Sequence, residues 1–169
     1  MPRYSRLEHS HITFNMKNLD LSRMVENVMS DYTKEAQEKG LETDVISEQG
    51  QQYMVHVDEK KTRNIIASVV DNAIKYTKKG WVKLELEKLD GKVRLSIKDT
   101  GIGIDKKDQK KIFDKFFRTT RASDVFVRGT GLGLYIAKHT LRAQGANIWV
   151  SSKGSGYGST FVIEFDEIG

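Results

Sequence analysis

Asp71-Asn72-Ala73-Ile74-Lys75-Tyr76-Thr77, followed downstream by Asp99-Thr100-Gly101-Ile102-Gly103, Gly129-Thr130-Gly131-Leu132-Gly133 and Gly154-Ser155-Gly156-Tyr157-Gly158, decides the fold of this chain. Glycine has no Cβ, so its backbone approaches a ligand closely and takes positive φ without strain. One such cluster is ordinary turn punctuation. Three clusters, one led by an Asp at the end of a β-rich run and another opening an apolar helix, predict a nucleotide pocket.

The first of these stretches sits near the end of a helix that Asp58 is placed to cap and that should run to about Lys78, ahead of Gly80. Ile65, Ile66, Val69, Val70, Ala73 and Ile74 recur at helical spacing and should bury against a sheet. Ser68, Asn72, Lys75 and Tyr76 share a second, polar face. The Asn72 side chain offers a carbonyl oxygen, a hard ligand suited to Mg²⁺. Lys75 is placed to meet a phosphate and Tyr76 to flank a purine ring. Taken alone, the pattern also describes an amphipathic helix with a wet outer face.

Outward from this helix, helical and β-rich segments alternate. Ile12-Thr13-Phe14 reads as a short strand. Asp20 is placed to cap a helix whose apolar stripe is Leu21, Met24, Val25, Val28 and Met29, ending at Gly40. Leu41 to Ile46 and Tyr53 to Val57 read as strands on either side of Gln49-Gly50-Gln51. Trp81 to Glu87 and Val93 to Lys98 form a hairpin around Asp90-Gly91. A lysine-rich irregular segment fills about 104–128. A helix follows from near Gly131 to Gly145, with Leu134, Ala137 and Leu141 on its apolar face. Ile148 to Ser152 and Ser159 to Phe165 close a second hairpin around the third glycine cluster. Interleaved helices and strands with mostly antiparallel neighbours predict a two-layer α/β sandwich.

Bulk composition narrows the class. The chain has 169 residues, enough for one domain with a core, and 38% hydrophobic and 30% charged residues, a globular balance. No apolar run approaches the ~18 residues that span a bilayer, and no secretory signal pattern opens the sequence. With no cysteine, disulfides and thiolate metal sites are excluded. The net charge is +5, but the basic residues are scattered among acids, so a mixed solvated surface is favoured over a nucleic-acid footprint. No GxxxxGK[ST] sequence occurs, and Leu134 stands where a dinucleotide fingerprint needs its last glycine.

With the Asn helix and three glycine clusters in this order, residues from about 12 to 166 resemble the catalytic ATP-binding domain of bacterial sensor histidine kinases, in the GHKL superfamily. Asp58-Glu-Lys-Lys-Thr-Arg63 resembles the stretch leading into the family's Asn helix, and Ile112-Phe-Asp-Lys-Phe-Phe-Arg118 its Phe-rich box. The resemblance implies a Bergerat-type fold: a mixed, mainly antiparallel sheet on about three helices, with an ATP lid over about 104–130. It implies that Asn72 coordinates Mg²⁺ and that Lys75 contacts phosphate, these two being the catalytic pair. Tyr76 packs near adenine, Asp99 binds the adenine amine, and Gly101 and Gly103 shape the base pocket. Gly129, Thr130, Gly131, Leu132 and Gly133 wrap the phosphates of ATP or ADP. Ile104, Phe117, Arg118 and Thr160 complete the implied nucleotide contacts. Phe113, Phe116 and Phe117 read as core or lid anchors. Any of Lys110, Lys115, Arg118, Arg121 and Arg128 is placed to meet the γ-phosphate.

Two departures from the family pattern bear on function. Ser68 stands where ATPase relatives carry a water-activating Glu, which weakens a hydrolase reading. Gly145-Ala146 replaces a Gly-Gly pair. The histidines are His9, His11, His56 and His139, and the only proline, Pro2, precedes them all, so the usual phosphoacceptor pattern is missing. Residues 1–11 read as a remnant of a preceding dimerisation and phosphoacceptor helix or linker, and residues 12–169 as the catalytic domain. Implied partners are a nucleotide, the acceptor hairpin of the same parent kinase and, through the parent, a response regulator, with no nucleic acid. A monomeric, cytoplasmic module is expected, its parent anchored in the membrane or not. A non-catalytic, nucleotide-gated interaction module on the same fold is the alternative; a serine kinase of the anti-sigma type fits less well.

Overall fold

Asp20 ends strand β1 (Met16–Asp20) and turns the chain into helix α1 (Leu21–Glu38), where its carboxylate accepts from Ser22 N at 3.1 Å. The same oxygen accepts from Tyr53 N at 3.1 Å, so the cap also fastens α1 to the start of β3 (Met54–Asp58). The computed structural model describes residues 12–117 and 133–169. Residues 1–11, with His9 and His11, lie outside them.

The remaining elements are β2 (Glu42–Ile46), α2 (Glu59–Lys75), β4 (Trp81–Leu89), β5 (Lys92–Asp99), α3 (Gly133–Ala143), β6 (Asn147–Ser151) and β7 (Ser159–Asp166). Five strands form one sheet in the order β2-β4-β5-β7-β6, antiparallel throughout except for the parallel β2–β4 pair. β1 and β3 form a separate two-stranded antiparallel sheet. The three helices pack on the large sheet, giving the expected α/β sandwich. Strand alternation sends Val82, Leu84, Leu86, Val93, Leu95, Ile97, Phe161, Ile163 and Phe165 into the core. They meet the buried stripe of α1 and all six predicted core residues of α2.

Two local expectations are corrected, at Ile12-Thr13-Phe14 and at the end of α2, and one pairing is new. The strand expected at Ile12-Thr13-Phe14 lies at Met16–Asp20 instead. The backbone just before it is held by the first turn of α2 and its cap: Asn15 N donates to Asp58 Oδ2 at 2.9 Å, and Lys61 Nζ reaches Thr13 O at 3.3 Å. The strands flanking Gly50 do not pair with each other, because β2 joins β4 and β3 joins β1. Helix α2 stops at Lys75 rather than near Lys78. Its last carbonyls are taken by groups that end the ladder, with Thr77 Oγ1 on Ala73 O at 2.7 Å and Ile102 N on Tyr76 O at 3.1 Å.

The hairpins match the sequence reading. Asp90 and Gly91 form a two-residue turn with both φ values positive, matching the right-handed twist of β4 and β5. Among the described residues, no helix is long and apolar enough to cross a membrane.

Candidate active site

Helix α2 is fixed at both ends. At its start Asp58, buried, accepts from Lys61 N at 2.9 Å and from Asn15 N at 2.9 Å. Those backbone bonds, the Lys61 N bond first, outweigh burial and hold its carboxyl below the usual range. At its end the polar face carries Asn72, Lys75 and Tyr76, all half-buried, while Ser68 one turn earlier is exposed. Lys75 Nζ pairs with Asp71 Oδ2 at 2.6 Å, an i,i+4 bridge along the helix. Lys39, at the C-cap of α1, donates to Ile74 O at 2.6 Å and to Lys75 O at 3.2 Å.

Asp99 ends β5 beneath this helix end and is 9% exposed. Its Oδ1 accepts from Gly101 N at 2.9 Å and Ser159 N at 3.2 Å; its Oδ2 accepts from Ser159 Oγ at 3.3 Å. Burial raises the carboxyl's pKa, and the bonds from Gly101 and Ser159 only partly offset it. The carboxylate is thus held in one orientation, with Oδ2 making a single long bond among the described residues. A Cβ at Gly101 would land on Tyr76 O and press on both Asp99 Oδ1 and Thr77 Oγ1. The glycine therefore lets the end of α2, Asp99 and the buried Thr77 converge.

The first and third glycine clusters interlock. Gly156 N donates to Ile102 O at 2.7 Å and Gly158 N to Gly101 O at 3.1 Å. Gly103 and Gly158 both have positive φ, 73° and 70°. A Cβ on Gly103 would land on the carbonyl of Gly154, and one on Gly158 on the carbonyl of Asp99. Ser152 joins the same knot: its Oγ donates to Gly158 O at 2.6 Å and accepts from Ile104 N at 3.1 Å. Gln109 Nε2 completes it, bonding Ile104 O at 3.0 Å and Ser152 O at 2.8 Å. The third cluster, which its sequence alone marks only as a hairpin turn, packs against the first and fixes the backbone beside Asp99.

Asn72, Lys75, Tyr76, Asp99, Gly101 and Gly103 are thereby gathered at the junction of α2 with the glycine loop. Ile104 and Phe117 are half-buried and pack against the core. Gly133 is the first residue of α3 and exposed. Arg118, Arg121, Arg128, Gly129, Thr130, Gly131 and Leu132 lie outside the described residues. Thr160 is corrected: it pairs with Lys98, on the sheet face opposite Asp99, and Ser159 holds the position beside that carboxylate. Lys110 and Lys115 line a cavity of about 400 Å³ with Tyr135, Lys138, His139 and Arg142 of α3, and neither Asn72 nor Asp99 borders it. Of the residues that sequence reasoning did not assign, Ser159 had a visible signal, its place directly after the third glycine cluster. Ser152, Gln109 and Lys39 had none, since their roles depend on residues distant in sequence or in other elements, whereas Thr77 closes the first quoted motif and bonds Ala73 O one turn back.

The geometry is that of a buried, fixed carboxylate acceptor beside two interlocked glycine loops. Residues 57–168 match the family described as histidine kinase-, DNA gyrase B- and HSP90-like ATPases. The chain is 37% identical over 117 residues to the sensor histidine kinase WalK of Bacillus subtilis, covering 67% of this chain and 19% of that protein. It is 32% identical over 164 residues to the sensor-like histidine kinase SenX3 of Mycolicibacterium smegmatis, covering 96% of this chain and 42% of that one. The full-length ShkA structure in complex with AMPPNP superposes with a TM-score of 0.82 at 28% identity, over 98% of this chain and 34% of ShkA. The catalytic domain of histidine kinase ThkA shares the fold, with a TM-score of 0.78 over 91% of this chain and 99% of that domain at 24% identity. A sequence matched over most of its length places the chain in the histidine kinase-, DNA gyrase B- and HSP90-like ATPase family, as an ATP-binding catalytic domain of the sensor histidine kinase type.

Proposed function

We propose that this chain presents Mg²⁺-ATP for transfer of the γ-phosphoryl group to a histidine on a separate dimerisation and phosphoacceptor hairpin. Asp99 carries the reading. A buried carboxylate held by Gly101 and Ser159 is suited to accept the exocyclic amine of adenine, where guanine offers a carbonyl. Tyr76 packs beside the base, with Gly101 and Gly103 as its wall and Ile104 and Phe117 at its edge. Lys75 meets phosphate by sharing or leaving Asp71. The segment ending in Gly129, Thr130, Gly131, Leu132 and Gly133 wraps the phosphates, with Arg118 among its basic contacts.

Asn72 would hold the metal through its amide oxygen. Among the described residues no group of three His, Cys, Asp or Glu could bind a cation by itself. A Mg²⁺ ion here would draw its other ligands from the nucleotide phosphates and water, its usual habit. When bound, it neutralises charge on the transferring phosphates. The protein's share is positioning: adenine on Asp99, phosphates against α2 and α3, and the γ-phosphoryl directed at the incoming imidazole.

A calorimetric titration with ADP and a non-hydrolysable ATP analogue, with and without Mg²⁺, tests this. One site per chain, tightened by Mg²⁺ in the wild type but not in Asn72→Ala, is the expected result. A folded chain that binds neither nucleotide overturns it in favour of an interaction module. The chain is monomeric and cytoplasmic in this proposal, and a response regulator is reached through the parent kinase. With labelled ATP alone, no acid-labile, base-stable phosphoprotein should form; its appearance would show an acceptor histidine within this chain.

A further inference from the structure

Lys39 ends α1, yet its ammonium is spent on α2. Nζ donates to Ile74 O at 2.6 Å and to Lys75 O at 3.2 Å, the final carbonyls of the helix that carries Asn72, Lys75 and Tyr76. Lys39 is an exposed residue, and its bond to Ile74 O is partly buried. Burial pulls its pKa below the ordinary lysine value, against the neighbouring charge of Glu35. The other carbonyls of this turn receive neutral donors: Tyr76 N on Asn72 O at 3.0 Å, Thr77 Oγ1 on Ala73 O at 2.7 Å and Ile102 N on Tyr76 O at 3.1 Å. Ile102 ties the helix end to the glycine loop from one side, and Lys39 ties it to α1 from the other.

A helix C-terminus carries roughly half a negative charge. Setting a polyphosphate near such an end is unfavourable unless a cation offsets it. Lys39 does so from outside the helix, while also fixing where the last turn lies. We propose that Lys39 is a positioning residue of the nucleotide site: its ammonium holds the last turn of α2 in register with the glycine loop and offsets the negative helix end that anionic nucleotides face. This rests on the nucleotide reading above.

Calorimetry with AMP, ADP and AMPPNP, all three without Mg²⁺, on wild type, Lys39→Met and Lys39→Arg, beside thermal melts, tests it. In Lys39→Met the loss should grow with phosphate number, from under about twofold for AMP to about tenfold for AMPPNP. Lys39→Arg should recover to within about threefold of wild type, since a guanidinium also donates to two carbonyls. If Lys39→Met does not fold, Lys39→Gln, which keeps a neutral donor, should show the same graded loss. Wild-type constants in Lys39→Met overturn the proposal, as does an equal loss for all three nucleotides that arginine fails to recover. A wild type that binds no nucleotide overturns the nucleotide reading itself, a result distinct from a flat Lys39 series.

Discussion

Asp99→Asn separates the fold from the ligand. The asparagine can keep its carbonyl oxygen where Oδ1 lies, still accepting from Gly101 N and Ser159 N. Its amide nitrogen then stands where Oδ2 lies and can donate to Ser159 Oγ, which accepts as readily as it donates. Stability should change by less than about 1.5 kcal/mol, one neutral hydrogen bond's worth. The ligand side behaves oppositely. The adenine amine loses a charged acceptor, worth about 1.5–3 kcal/mol, and meets a second donor. ADP should weaken by about 10-fold to 150-fold. Guanine presents a carbonyl at that position, so GDP should weaken far less and the preference for ADP should narrow or invert. Paired calorimetric titrations with ADP and GDP, with a thermal melt of each variant, measure both sides. An Asp99→Asn chain that binds ADP within about threefold of wild type would refute the reasoning.

The remaining predictions concern the frame. Gly103→Ala should cost more than about 2 kcal/mol in chemical denaturation, because φ is 73° and the new Cβ meets the Gly154 carbonyl. Gly133→Ala, whose Cβ meets nothing among the described residues, should leave stability unchanged or raise it by up to about 1 kcal/mol, and a fall in nucleotide affinity there would mark close approach by the ligand. Asp58→Ala should cost about 1–2 kcal/mol through the lost α2 cap, lowering the melting temperature by about 2–8 °C, with Asp58→Asn milder. Because the folded pKa of Asp58 is depressed, its contribution is present above the unfolded value and is lost as pH falls through the folded one. For Asp99 the sign reverses. Its folded pKa is raised, so its effect on stability worsens as pH rises through the window between unfolded and folded values. Adenine binding needs the ionised form, so ADP affinity should begin to fall on acidification above the ordinary carboxylate range. A pH series that is equally steep in Asp99→Asn would exclude this group.

What the sequence made legible was whatever depends on short-range periodicity and caps. The apolar face of α2 repeats at helical spacing and all six of its predicted residues are buried. Asp20, Asp58 and the Asp90-Gly91 turn act through neighbours a few residues away. What was illegible depends on distant partners. The β-branched Ile12-Thr13 looks more strand-like than Met16-Lys17-Asn18, yet only the latter has a strand to pair with, β3. Nothing local marks β2 as the parallel partner of β4. In the site, Asn72 and Asp99 are conspicuous residue types beside conspicuous motifs. Ser159 and Thr160 are chemically alike, and only strand register distinguishes the one facing Asp99 from the one facing Lys98. Lys39 is one of many lysines until its ammonium is seen on the carbonyls of another helix.

The knot between the first and third glycine clusters has a consequence for recombining this domain with its relatives. Each loop occupies space that a side chain on the other would need, and each supplies hydrogen-bond partners for the other's backbone. Neither is an independent cassette. A chimera that imports residues 99–104 from one parent and 152–159 from another joins two halves never fitted together, whereas exchanging both segments at once transfers a complete joint. The boundaries at which this domain can be cut and spliced are therefore set by that crossing, not by the order in which the loops occur along the chain.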